Sequence, residues 1–151
     1  MVSKIYADGI ATGVATFETK LPTWEEWDNK YIKSCRLVIL MDSLVVGFAV
    51  LAPTSKREVY KGVVEVSVYV AQEFRGQNLG ETLLNHLINE SEKHGFWTLQ
   101  AGIFSENKAS IELHKKCEFR VVGIREKIGQ LEGKWYDNHL LERRRKPIMD
   151  I

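Results

Sequence analysis

Val63-Val64-Glu65-Val66-Ser67-Val68-Tyr69-Val70 runs, four residues later, into Arg75-Gly76-Gln77-Asn78-Leu79-Gly80, and this junction decides the fold. Val64, Val66, Val68 and Val70 share one face and Glu65, Ser67 and Tyr69 the other, the period-two pattern of a strand. Beyond the turn, Leu79, Leu83, Leu84, Leu87 and Ile88 line one face of a helix that stops near Gly95. A turn feeding a helix N-terminus presents unpaired backbone N–H groups at the positive end of the helix dipole, so it favours a phosphate. Arg75 adds a charge-assisted donor, Gly76 and Gly80 let the backbone approach a ligand, and Asn78 tolerates a left-handed conformation. Taken alone, the turn is nearly as compatible with a plain strand-to-helix connection. It lacks both the G-x-G-x-x-G spacing of dinucleotide sites and the Gly-Lys-Ser/Thr ending of a P-loop, which argues against NAD and ATP.

Upstream, Thr23 and Glu26 have the spacing of a capping box, and Trp24, Trp27 and Tyr31 recur at helical intervals, so a helix is predicted over 23–33 with its aromatics in the core. Leu37–Met41 and Leu44–Leu51 read as a hairpin through Asp42-Ser43, closed by Pro53. Downstream, Trp97–Phe104 reads as a strand and Asn107 as the cap of a helix directing Ile111, Leu113 and Cys117 inward. Phe119–Ile128 and Lys134–Leu141 read as two strands joined through Gly129 and Gly133. The order is that of a mixed α/β (α+β) domain with helices on the faces of a largely antiparallel sheet.

A chain of 151 residues suits a single domain, and 21 basic against 20 acidic residues leave no field that would draw nucleic acid or an anionic membrane. The one basic run, Arg143-Arg144-Arg145-Lys146, opens a stretch (143–151) read as a solvated tail. No apolar stretch reaches the roughly 18 residues of a membrane span, and no signal peptide is evident, so cytoplasmic residence is expected. Cys35 and Cys117 lack ligand spacing and read as buried free thiols, and His86, His94 and His139 carry no metal-binding spacing, so no metal is expected.

Arg75 to Gly80 resembles the pyrophosphate motif Q/R-x-x-G-x-G/A of the GCN5-related N-acetyltransferase (GNAT) superfamily, with Asn78 in place of the middle glycine. Ala15-Thr16-Phe17-Glu18-Thr19, Val64 to Val70, Asn107-Lys108-Ala109-Ser110-Ile111-Glu112-Leu113-His114 and Gly133-Lys134-Trp135 resemble the phosphinothricin and methionine-sulfoximine acetyltransferase subfamily in order and spacing. The likeness covers about residues 5–141. It departs at the start: members usually carry a strand and a full helix before the Ile5-Tyr6 segment. Either this sequence begins at a downstream methionine or the sheet lacks its first strand and leaves a neighbour unpaired.

The resemblance implies acetyl-CoA as cofactor, with its pyrophosphate on Arg75, Gly76, Gln77, Asn78, Leu79 and Gly80. The strand is implied to open beside Ser67 and Val68, so that Val68, Tyr69 and Val70 meet the pantetheine arm; a bulge there would change side-chain parity downstream. Asn107 and Ser110 resemble a second cofactor patch, with helix capping as the alternative. Glu65 is the candidate general base and His114 the acid that protonates the departing thiolate; a structural carboxylate and a core or surface histidine are the alternatives. Phe17, Glu18, Arg57 and Tyr60 resemble the subfamily's substrate pocket, Arg57 pairing with a carboxylate. The expected reaction is direct acetyl transfer, in a ternary complex, to the α-amino group of a small amino-acid-like substrate. A protein or peptide acceptor and a non-catalytic acyl-CoA-binding module stay open. A homodimer is implied, with Trp135 and Tyr136 either contributing to it or packing in the core.

Overall fold

The computed structural model describes residues 2–13 and 15–146. Strands β1 (Leu37–Met41) and β2 (Leu44–Pro53) form the expected hairpin, and Asp42 and Ser43 both turn to positive φ, 51° and 67°, as a two-residue turn matching strand twist requires. β3 (Val63–Val70) lies antiparallel to β2 without a register shift, and β4 (Thr98–Phe104) runs parallel to β3. β5 (Arg120–Leu131) and β6 (Lys134–Arg144) form a second hairpin, with β6 antiparallel to β4. The sheet order is β1-β2-β3-β4-β6-β5. Among the described residues β1 is one edge of the sheet, and Val38 and Leu40 are exposed there.

Helix α3 (Leu79–Lys93) connects β3 to β4 and buries Leu83, Leu84, Leu87 and Ile88 against Val64, Val66, Leu99, Ala101 and Ile103. Each such side chain contributes roughly 1.5–3 kcal/mol of apolar burial, which fixes the helix on this face. Helix α4 (Lys108–Lys116) packs beside it, adding Ile111 to the same core. The opposite face is covered by α1 (Val2–Thr12), by Trp27 of α2 (Trp24–Lys30) and by Tyr31 just after it, in a second core with Ile5, Tyr6, Phe48 and Val50.

Several boundaries differ from the sequence reading. Helix α1 was not predicted: Gly9 and the absence of a strong cap hide it, and the glycine leaves the space in which Tyr69 packs. Helix α2 has both capping-box bonds of Thr23 and Glu26 but ends at Lys30, because Tyr31 turns to an extended conformation and buries its ring. Trp24 is 68 % exposed and only stacks on Trp27, so it is not a core residue. Gly129 lies inside β5; the turn is made by Glu132 and Gly133, both at positive φ. Arg143 and Arg144 are not tail residues but the end of β6, where Arg143 reaches Glu92 at 3.3 Å and Glu118 at 3.6 Å. Of the rest of the expected tail, Arg145 still donates its backbone N–H to Trp97 C=O at 3.1 Å, and the residues from 147 on lie outside the described ones.

Candidate active site

The site begins where a ladder stops. β3 and β4 pair only at Val63↔Thr98, Val64↔Leu99 and Glu65↔Gln100, yet β3 continues to Val70 and β4 to Phe104. Past Glu65 the two strands part, leaving alternate backbone N–H and C=O groups of β3 facing the gap. The opening needs no bulge, since β3 keeps an unbroken register with β2 from Val64 to Val70. Parity is therefore retained: Val64 and Val66 point into the core while Glu65 and Ser67 face the other way into a cleft of about 880 Å³.

One end of the cleft is the turn before α3. Asn78 caps the helix in the left-handed conformation, φ 61° and ψ 19°, as its residue type allows. Gly76 has φ 83°, which favours glycine. The first bond running into the helix, Thr82 N–H to Asn78 C=O, is 3.2 Å long, so the N–H groups before Thr82 point out of the helix end towards the cleft. Arg75, Gly76, Asn78, Leu79 and Gly80 line it, but Gln77 does not. Gly80 has a packing reason as well: a Cβ there would stand 3.1 Å from Leu113 of α4. Asn107 and Ser110 line the same end, and Asn107 Oδ1 accepts from Ser110 N–H at 3.2 Å, so its capping role holds. Residues of this kind suit a pyrophosphate at the helix end and an extended arm along the parted strands, which is the shape of coenzyme A.

Glu65 stands at the fork. Burial raises its pKa, opposed by the charges of Lys30 and Arg125, and it forms no ion pair among the described residues. His114 also lines the cleft, but it is buried and its Nδ1 lies 2.7 Å from Ser110 C=O. A carbonyl only accepts, so Nδ1 carries the proton and Nε2 of the neutral ring is bare. Burial pushes the His114 pKa down, opposed by that same bond. In that tautomer, His114 serves as an acid only after Nε2 takes up a proton.

Phe17 also lines the cleft, its ring 4.3 Å from that of Phe104 and 6.4 Å from that of Tyr136. Glycine at 129 makes this possible, because a Cβ there would stand 2.6 Å from Phe17 Cζ. Glu18 lines the cleft beside it. Arg57 and Tyr60 do not: they are exposed around the short 3-10 turn Glu58–Tyr60, with the guanidinium 5.6 Å from the Tyr60 ring. Lys30, Tyr31, Arg125 and Asn138 line the cleft and were missed by sequence reasoning. The signal for the last two was strand alternation, but β5 shifts register between Val121 and Gly123 and again between Arg125 and Gly129, which scrambles any period-two count.

A parted parallel strand pair, a turn suited to a pyrophosphate and a desolvated carboxylate between them fit an acyl-CoA-dependent acyltransferase. The acetyltransferase (GNAT) family profile matches residues 10–119, and the chain belongs to that family: it is an N-acetyltransferase with acetyl-CoA as acyl donor. It is 33% identical to the phosphinothricin N-acetyltransferase of Alcaligenes faecalis over 94% of this chain and 75% of that protein. It is 36% identical to an L-methionine sulfoximine/L-methionine sulfone acetyltransferase of Pseudomonas paraeruginosa over 88% of this chain and 81% of that protein. Among solved structures, a ribosomal-protein-alanine N-acetyltransferase from Brucella melitensis superposes with TM-score 0.85 at 32% identity, covering 94% and 91% of the two chains. The phosphinothricin acetyltransferase of Sinorhizobium meliloti in complex with acetyl-CoA gives 0.84 at 29%, covering 94% and 80%.

Proposed function

We propose that the enzyme acetylates the α-amino group of a small amino-acid-like compound of the phosphinothricin or methionine sulfoximine type, by direct attack with both substrates bound. The observation that carries this is Glu65: a desolvated carboxylate without an ion-pair partner among the described residues, placed where β3 and β4 part. An amine attacks only as the free base, and a carboxylate with a raised pKa takes its proton, directly or through water, more readily than an ordinary one. Acetyl-CoA, when bound, supplies the thioester carbonyl. Arg75, the N–H groups of Gly76 and Asn78 to Gly80, and Asn107 hold its polar end, and the backbone of Val68 to Val70 aligns its arm. His114 passes a proton to the departing sulfur only after taking one up at Nε2. Phe17 excludes water from the acceptor side. Cytoplasmic residence and a homodimer complete the proposal, supported by the free buried thiols of Cys35 and Cys117 and by exposed Trp135.

The likeness to a ribosomal-protein-alanine acetyltransferase favours a second reading, a protein N-terminus as acceptor. Steady-state acetyl-CoA turnover with methionine sulfoximine, methionine sulfone, phosphinothricin and an alanine-initiated peptide separates the two. Turnover confined to the amino acids, and reduced roughly 10²- to 10⁴-fold by Glu65→Gln, is expected. Turnover confined to the peptide overturns the substrate class, and an unimpaired Glu65→Gln variant overturns the base.

A further inference from the structure

Two polar side chains that the proposed reaction leaves unused stand side by side on the acceptor face. Arg125 of β5 and Asn138 of β6 are cross-strand partners in the hairpin, and both line the cleft that contains Glu65. Asn138 lies over the backbone of β4: a Cβ at Gly102 would stand 3.4 Å from its Oδ1. That Oδ1 is buried and has no hydrogen-bond partner among the described residues. An unbonded buried carbonyl is costly, and a ligand N–H or O–H removes the cost. Arg125 makes no ion pair among the described residues, although its charge is felt at Glu65. Its planar fork matches a carboxylate through two parallel bonds, which the ammonium of Lys30 does not. Arg57, the residue expected to do this, is outside the cleft.

We propose that Arg125 and Asn138 form the acceptor-recognition subsite: Arg125 pairs with the substrate carboxylate, and Asn138 Oδ1 accepts a hydrogen bond from an N–H on the substrate side chain. The assignment rests on the small amino-acid reading given above. Once Glu65 has taken the amine and Arg125 the carboxylate, the side chain is the part of such a molecule left to supply a donor. The subsite therefore favours amino acids ending in a compact donor-bearing group such as a sulfoximine over the isosteric sulfone, which only accepts.

The test is kcat/KM for methionine sulfoximine, methionine sulfone and 3-(methylsulfonyl)propylamine, the sulfone without its carboxylate. The unchanged enzyme is expected to favour sulfoximine over sulfone by about tenfold and the sulfone amino acid over the amine by about 100-fold, the scale of a neutral and a charged hydrogen-bonded contact. Asn138→Val should erase only the first preference and Arg125→Met only the second, with the KM for acetyl-CoA unchanged. Asn138→Ser replaces the valine variant if that chain does not fold, and Arg125→Lys should retain a small part of the carboxylate preference. Equal losses on all three compounds, no loss, or loss of the carboxylate preference in Lys30→Met instead would overturn the subsite. Amino-acid turnover by the unchanged enzyme without either preference overturns the subsite and leaves the proposed function standing. No turnover of any amino acid overturns both.

Discussion

Glu65 answers to two opposed demands, since the burial that suits it to take a proton also opposes its charge. Burial raises its pKa above the ordinary 4.5, more than Lys30 and Arg125 lower it. Because the folded chain holds this proton more tightly than the unfolded one, the stability it gives is full below the ordinary value and is lost as pH rises through the folded value. Glu65→Gln should therefore lose turnover yet unfold, at neutral pH, at the same or a higher temperature; a clear fall would mark Glu65 as structural. In the unchanged enzyme kcat/KM should climb with pH through that same ionisation, and the variant should lack this limb. At the other end of the cleft, Asn78 already adopts a left-handed conformation without a side-chain capping bond. Asn78→Gly should leave coenzyme A affinity within a few-fold by calorimetry, whereas Arg75→Ala should weaken it by roughly 1–3 kcal/mol, a lost charged hydrogen bond.

At the scale of elements, the parting of β3 from β4 is a set of backbone groups waiting for a partner. Hydrogen exchange should show fast alternate amides between Val66 and Val70 in the free enzyme and slow ones on adding coenzyme A. The amides of Gly47, Phe48 and Ala49 in β2, paired on both sides, should not change. Uniform protection without ligand would contradict the open gap. This region was legible in the sequence because Val63 to Val70 has an undisturbed alternation and Asn78 a residue type suited to its turn. The strand and the turn at the end of the cleft follow from those two signals, whereas the cofactor assigned to them came from resemblance. The acceptor end did not, for physical reasons. Lys127 at φ 48° and two register shifts bend β5, so Arg125 and Asn138 come together through a bulged hairpin that no fixed period describes. Arg57 was assigned by resemblance, and only packing decides that it lies on the surface.

For the whole molecule, one edge of the sheet is β5, where Val121, Val122, Ile124 and Ile128 are exposed and the neighbouring β6 leaves Trp135 55% exposed. Trp135 is thus not a core residue, while Tyr136 stacks on Phe104 at 5.1 Å. Patches of this kind mark interfaces, and light scattering should give the mass of a dimer, with Trp135→Glu shifting it towards the monomer. A monomer at micromolar concentration would remove the homodimer from the proposal. The unbroken register of β3 carries a last consequence, for how this enzyme tolerates change. Its valines face the core and Glu65 the reaction, so inserting or deleting one residue between Val63 and Glu65 would turn the strand over, sending the carboxylate into oil and a valine into the cleft. Point substitutions can tune this protein by degrees, but length changes in that short segment should be tolerated hardly at all, while the tip at Glu132-Gly133 should accept them.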